Sequence, residues 1–210
     1  GDFERELPLR RAGFNVIWTD DAKPYKKIKV RILNGAHTSV VAGALLSGLE
    51  TVGECMSDET VSAYLVRCMN EEILPAIGDN EDSRKFMNDV FERFRNPFIK
   101  HQLRSISLNC VSKFSVRVLP TILDYKEKYG ACPKLLSFSL ATLICFYKWD
   151  KPDDAQETAE KMKKGTVYDI LSDKALWQTD ISDMTELIES YCGKIRELGA
   201  KEAIRWILTE

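Results

Sequence analysis

Residues 135–147, LLSFSLATLICFY, form the longest apolar run in the chain and contain no charge. The run is well short of the roughly 20 residues that a membrane span needs. It reads instead as a helix buried in a protein core, opened by Pro133 and running to 148. Such a helix needs others to cover it, and the sequence on either side supplies them. Residues 30–47 are apolar, with small residues at Gly35, Ala36, Ala42, Gly43 and Ala44, and Gly48 is a natural stop. Residues 58–74 set Val61, Leu65, Cys68, Met69 and Ile73 on one stripe, ended by Pro75. Residues 83–95 place Phe86, Met87, Val90, Phe91 and Phe94 on one face, with Ser83 or Asp82 as cap. After the Asn96-Pro97 break, 98–109 repeats the helical pattern through Ile99, Leu103 and Ile106. KFSVRVL (113–119) fits an extended segment or a turn of helix. Pro120 suits the first turn of a helix through 128, and the more polar 153–210 predicts three or four shorter helices. One strand is expected, GFNVIW at 13–18, before the turn-prone TDDAKP. The fold class is therefore mostly α: a helical domain over 25–210, preceded by an interdomain segment, 1–24, with a short strand.

The composition, 44% hydrophobic and 30% charged, is that of an ordinary globular protein. The N-terminus lacks a signal-peptide pattern, and the first residue is Gly1, as expected of a trimmed or processed chain. Six cysteines occur without a CxxC pair and mostly among apolar neighbours, which predicts reduced core thiols in a cytoplasmic protein. Two histidines 64 positions apart give zinc little support. The chain has neither GxGxxG nor GxxxxGK[ST], so it carries no nucleotide-phosphate loop of its own.

A net charge of −2 points to neither nucleic acid nor a membrane surface, but the charges are segregated. Residues 23–49 hold five Lys/Arg and no acid; residues 93–117 hold six, plus His101, and no acid. This pattern fits a local cationic site for an anionic ligand, or solvated residues clustered by chance.

The sequence KVRILNGAHTS (29–39) sets Lys29, Asn34 and His37 at the head of the 30–47 helix. In a regular α-helix Asn34 and His37 lie about 60° apart, and Lys29 and His37 about 80° apart. With Lys29 in the first turn, the three can converge beside the positive end of the helix dipole, and Gly35 and Ala36 leave room for a ligand. The set suits carbonyl/alcohol redox chemistry. A lysine of lowered pKa serves as acid–base, an amide donates to a developing oxyanion, and a histidine orients substrate or lysine. Equally, a lysine at this point fits a surface residue, the asparagine a local cap and the histidine a satisfied core residue.

The order K-x4-N-x2-H resembles the catalytic signature of the mannitol dehydrogenase family, the polyol-specific long-chain dehydrogenases. The resemblance extends through FNVIWTDD, TVGECMSDE, ERFRNPFIKHQLRSISLNCVSKFSVRVLPTILDY and the apolar 134–148 helix. It covers 13–150 well and the C-terminal third weakly. It implies a helical C-terminal domain that works with an upstream Rossmann domain binding NAD, with the active site between them. It implies Lys29 as the acid–base, Asn34 bonded to the reacting oxygen, His37 at the substrate or the lysine, and no metal. It further implies an asparagine and an acid supplied by the upstream domain, and negligible turnover by these 210 residues alone.

Lys113, in VSK, is similar to a lysine that contacts substrate in the polyol enzymes. The Arg eight positions before it and the His five before it in those enzymes are here Ser105 and Leu108. That departure argues for a different substrate, a sugar acid, whose carboxylate needs a cation. His101, Arg104, Lys113 and Arg117 are the substrate-binding candidates. The alternatives are another sugar-acid or polyol dehydrogenase of the same family, and a helical binding module without chemistry.

Overall fold

The computed structural model describes residues 2–210, and helices dominate it. Helix α1 spans 23–46 without a break, as Lys23–Ile28, a π-helical Lys29–Asn34, and Gly35–Leu46. Helix α2 spans 59–77 in the same way: Glu59–Arg67, a π-helical Cys68–Ile73, and Leu74–Ile77. Then follow α3 (Glu81–Phe94), α4 (Leu103–Ser107), α5 (Cys110–Arg117), α6 (Leu119–Tyr129) and α7 (Lys134–Trp149). Near the C-terminus, α8 (Thr185–Leu198) and α9 (Ala200–Ile207) close the fold.

Helix α7 is the centre. Every residue from Leu135 to Tyr147 is buried, as its uniformly apolar sequence requires. It packs on the second half of α1 and on α8. Small residues let α1 approach: Ser139 donates its hydroxyl to the Ser39 carbonyl at 2.7 Å, and a Cβ on Gly43 would meet Thr142 at 3.5 Å. The first N–H groups of α7 are capped from another helix. Pro133 has no capping side chain, and the Glu72 carboxylate of α2 accepts from Leu135 N and Leu136 N, each at 2.7 Å.

The mostly α expectation holds, with shifts at its edges. Pro75 does not end α2. The π turn just before it widens the helix, which continues to Ile77. Residues 96–102 form a loop, so the 98–109 helix shrinks to α4, and 113–119 falls mostly within α5. GFNVIW is not a strand. Its apolar residues lack a partner edge, and the sole β pairing among the described residues is the isolated Thr51–Gln102 bridge. Instead the segment crosses the surface, and Trp18 folds back to stack on Phe3 and donate to Glu4 at 2.6 Å.

Candidate functional site

Lys29, Asn34 and His37 all lie on α1, but the helix positions them differently from a regular one. Helix α1 begins six residues before Lys29, whose N–H already bonds back to Tyr25 and Lys26. The open helix end and its dipole are therefore not at the trio. The π segment does the positioning. Gly35 N–H reaches the Val30 carbonyl five residues back, marking a turn with one residue more than usual. In a regular α-helix Lys29 and Asn34 would point about 140° apart. In the widened turn, residues five apart stack on one side, and Asn34 leads to His37 one α-turn later.

Gly35 and Ala36 do not make room for a ligand. Ala36 is in the core, and a Cβ on Gly35 would lie 3.3 Å from the Arg117 carbonyl. The small residue serves close approach of α1 to the end of α5, which fixes Arg117 beside the Asn34–His37 turn.

His37 stacks on Phe94 of α3 with ring centroids 4.2 Å apart, and it meets His101 edge-on at 5.5 Å. Its Nε2 is buried without a hydrogen-bond partner among the described residues. Burial, reinforced by His101 and Arg117, lowers its pKa to about 4. At neutral pH it is an uncharged imidazole with a free polar atom. Asn34 is half-buried, and its amide has no hydrogen bond among the described residues. Lys29 is exposed and lines a cleft of about 890 Å³ between the N-terminal segment, at Asn15 and Ile17, and α3, at Lys85 and Phe86.

The four substrate-binding candidates separate clearly. Arg104 pairs with Asp150 at 2.7 Å and lies over the Phe146 ring, so its charge is already matched. His101 is exposed and shows its edge to His37. Lys113 is half-buried and donates to the Ile106 carbonyl at 2.9 Å. Arg117 is half-buried and reaches the Thr38 hydroxyl at 3.4 Å. Neither Lys113 nor Arg117 has a carboxylate partner among the described residues. Burial lowers the pKa of both, and the Arg117 charge lowers that of Lys113 further.

The structure thus gathers His37, His101 and Arg117, with Lys113 beside Arg117, and leaves Arg104 paired with Asp150. Sequence reasoning missed two residues. Thr38 was hidden by its neighbour His37, and Phe94 was read only as part of an apolar stripe. An aromatic that stacks on a candidate histidine leaves no signal in one sequence.

Comparison with known proteins gives a consistent picture. Residues 21–198 match the mannitol dehydrogenase C-terminal domain. An altronate oxidoreductase of Yersinia enterocolitica is 41% identical over 206 residues, covering 89% of this chain and 43% of the relative. That of Pectobacterium atrosepticum is 48% identical over 147 residues, covering 70% and 30%. The chain therefore spans less than half the length of these curated relatives. Among solved structures, a Pseudomonas fluorescens mannitol 2-dehydrogenase in ternary complex with NAD and D-mannitol superposes with a TM-score of 0.83 at 23% identity. The match covers 95% of this chain and 44% of that one.

Proposed function

The chain belongs to the mannitol dehydrogenase C-terminal domain family, and from that premise we propose that it is the substrate-handling part of an oxidoreductase interconverting D-tagaturonate and D-altronate. The observation that supports this reading is the π turn of α1, whose wider period turns Lys29 and Asn34 towards one side of the helix, together with an Asn34 amide and a His37 Nε2 that have no partner among the described residues. In this reading residues 25–210 are the catalytic domain, and 1–24 links it to an upstream Rossmann domain. The chain has no phosphate-binding loop, so the nicotinamide cofactor is held by that upstream domain and supplies the hydride. Lys29 gives its proton to the substrate carbonyl oxygen as negative charge develops there, a role that needs no metal. The Asn34 N–H donates to the same oxygen, and neutral His37 accepts a hydrogen bond from a substrate hydroxyl or the lysine. Docking of the upstream domain over Lys29 supplies the water exclusion that an exposed lysine lacks here. Sugar-acid specificity is supported by the altronate oxidoreductase relatives, by Ser105 and Leu108, and by two cations, Lys113 and Arg117, that form no ion pair among the described residues.

The test is NADH oxidation by this chain joined to its upstream half, with tagaturonate, fructuronate and fructose. Preference for tagaturonate is expected. Preference for fructuronate moves the assignment to fructuronate reductase, and preference for fructose to a polyol dehydrogenase. No turnover on any of them favours a binding module.

A further inference from the structure

Two half-buried arginines lie at the same stretch of α1, Arg31 on it and Arg117 packed against it from α5, and only Arg31 has a carboxylate partner among the described residues. Arg31 donates to Thr121 at 2.8 Å and to Asp124 at 3.1 Å. Arg117 has only the long contact with the Thr38 hydroxyl and no carboxylate among the described residues. Removing a guanidinium from water without a counter-charge is costly, so folds usually pair such a group. Here a neighbour adds positive charge instead: Lys113, four residues before it on the same helix, with the uncharged His37 close by. The position is also rigid, because the Arg117 carbonyl packs where a Gly35 side chain would be.

Resting on the sugar-acid reading above, we propose that the Arg117 guanidinium, with Lys113 beside it, binds the substrate carboxylate and sets specificity for acids over neutral sugars. The planar fork of a guanidinium matches both carboxylate oxygens, and Thr38 steadies one arm of it. Lys113 is held by the Ile106 carbonyl and contributes mainly charge. Arg104 is excluded by Asp150, and exposed His101 offers no fork. The carboxylate would thus lie one turn from His37, with the reacting carbonyl at the Lys29–Asn34 side.

The experiment is steady-state kinetics of the two-domain enzyme carrying Arg117→Gln or Arg117→Lys. Two substrates are compared: tagaturonate, and the same ketose with a hydroxymethyl group in place of the carboxylate. Arg117→Gln should raise KM for the acid by about 100-fold, the loss expected when a charge-assisted pair is removed. It should leave kcat/KM for the neutral ketose and KM for NADH within about threefold, an allowance of under 1 kcal/mol. Arg117→Lys, which keeps the charge, should recover part of the acid KM even if the glutamine variant folds poorly. Equal losses on both substrates would overturn the proposal in favour of a packing role. A rise confined to the NADH KM would overturn it in favour of the cofactor phosphates. Wild-type enzyme that prefers the neutral ketose would sink the sugar-acid reading itself, before any variant is measured.

Discussion

Lys29–Asn34 and Cys68–Ile73 are both six-residue π segments inside longer helices, and they pack against each other. Apart from Arg31 in the first, which pairs with Asp124 at 3.1 Å, their polar groups are treated in opposite ways. Around the second segment Arg67 pairs with Glu71 at 2.8 Å, Asn70 donates to the Val66 carbonyl, and buried Glu72 caps α7. Around the first, Asn34 and His37 Nε2 have no partner among the described residues, and Lys29 faces a cleft. The second also has a cause in its own sequence, since Pro75 follows and cannot continue a regular helix. No proline follows the first. The same backbone irregularity therefore braces the core in one place and holds polar groups ready in the other. What separates the two roles is partnership rather than geometry.

The sharpest way to break that contrast is at Lys29. Lys29→Ala should lower kcat of the two-domain enzyme by about 10²–10⁴-fold, the usual contribution of a positioned acid–base. Its melting temperature should stay within about 1 °C, because an exposed side chain with no bond among the described residues holds nothing together. A variant that melts early yet turns over normally would make the first segment structural like the second.

The mirror-image change is Glu72→Ala. It leaves two N–H groups of α7 unpartnered beside an apolar core, at about 1–3 kcal/mol each. The expected loss is about 4 kcal/mol in urea unfolding, with kcat per folded molecule unchanged in the two-domain enzyme. A loss under about 1 kcal/mol, the scale of an ordinary surface change, would remove the second segment's bracing role.

This contrast also shows what was legible in the sequence. Helix α7 was plain because thirteen uncharged residues admit few other readings, and α3 and α6 were plain from their stripes and from Pro120. The candidate trio was visible as residue types in order. Its geometry was not, because a π turn adds one residue without changing the apolar pattern, and the α-helical angles from Lys29 were therefore wrong. The strand at 13–18 failed because β propensity says nothing about whether a partner edge exists. Arg104 and Arg117 looked alike in an acid-free stretch. The acid that separates them, Asp150, is 46 positions from Arg104 in the chain.

The two segments also carry opposite proton linkages. His37 is held at about 4 against an ordinary 6.5, chiefly by burial. Between those values the unfolded chain binds a proton that the folded chain refuses. Its contribution to stability is thus complete above 6.5 and is lost as pH falls towards 4. Glu72 is pushed up by burial to about 7 from 4.5, against the pull of its two N–H donors. There the folded chain keeps a proton that the unfolded chain has released, so its contribution is complete below 4.5 and is lost as pH rises through 7. Between pH 7 and pH 5 each is worth about 2 kcal/mol, with opposite signs. Wild-type stability should hide both, while single variants uncover them. On going from pH 7 to pH 5, His37→Phe, which keeps the stack on Phe94, should gain about 2 kcal/mol relative to wild type. Glu72→Gln should lose about as much. Urea unfolding at the two pH values reads both differences, and the carboxylates common to all three proteins cancel. If His37→Phe tracks wild type, His37 carries a proton in the folded protein, and the first segment is better partnered than its geometry indicates.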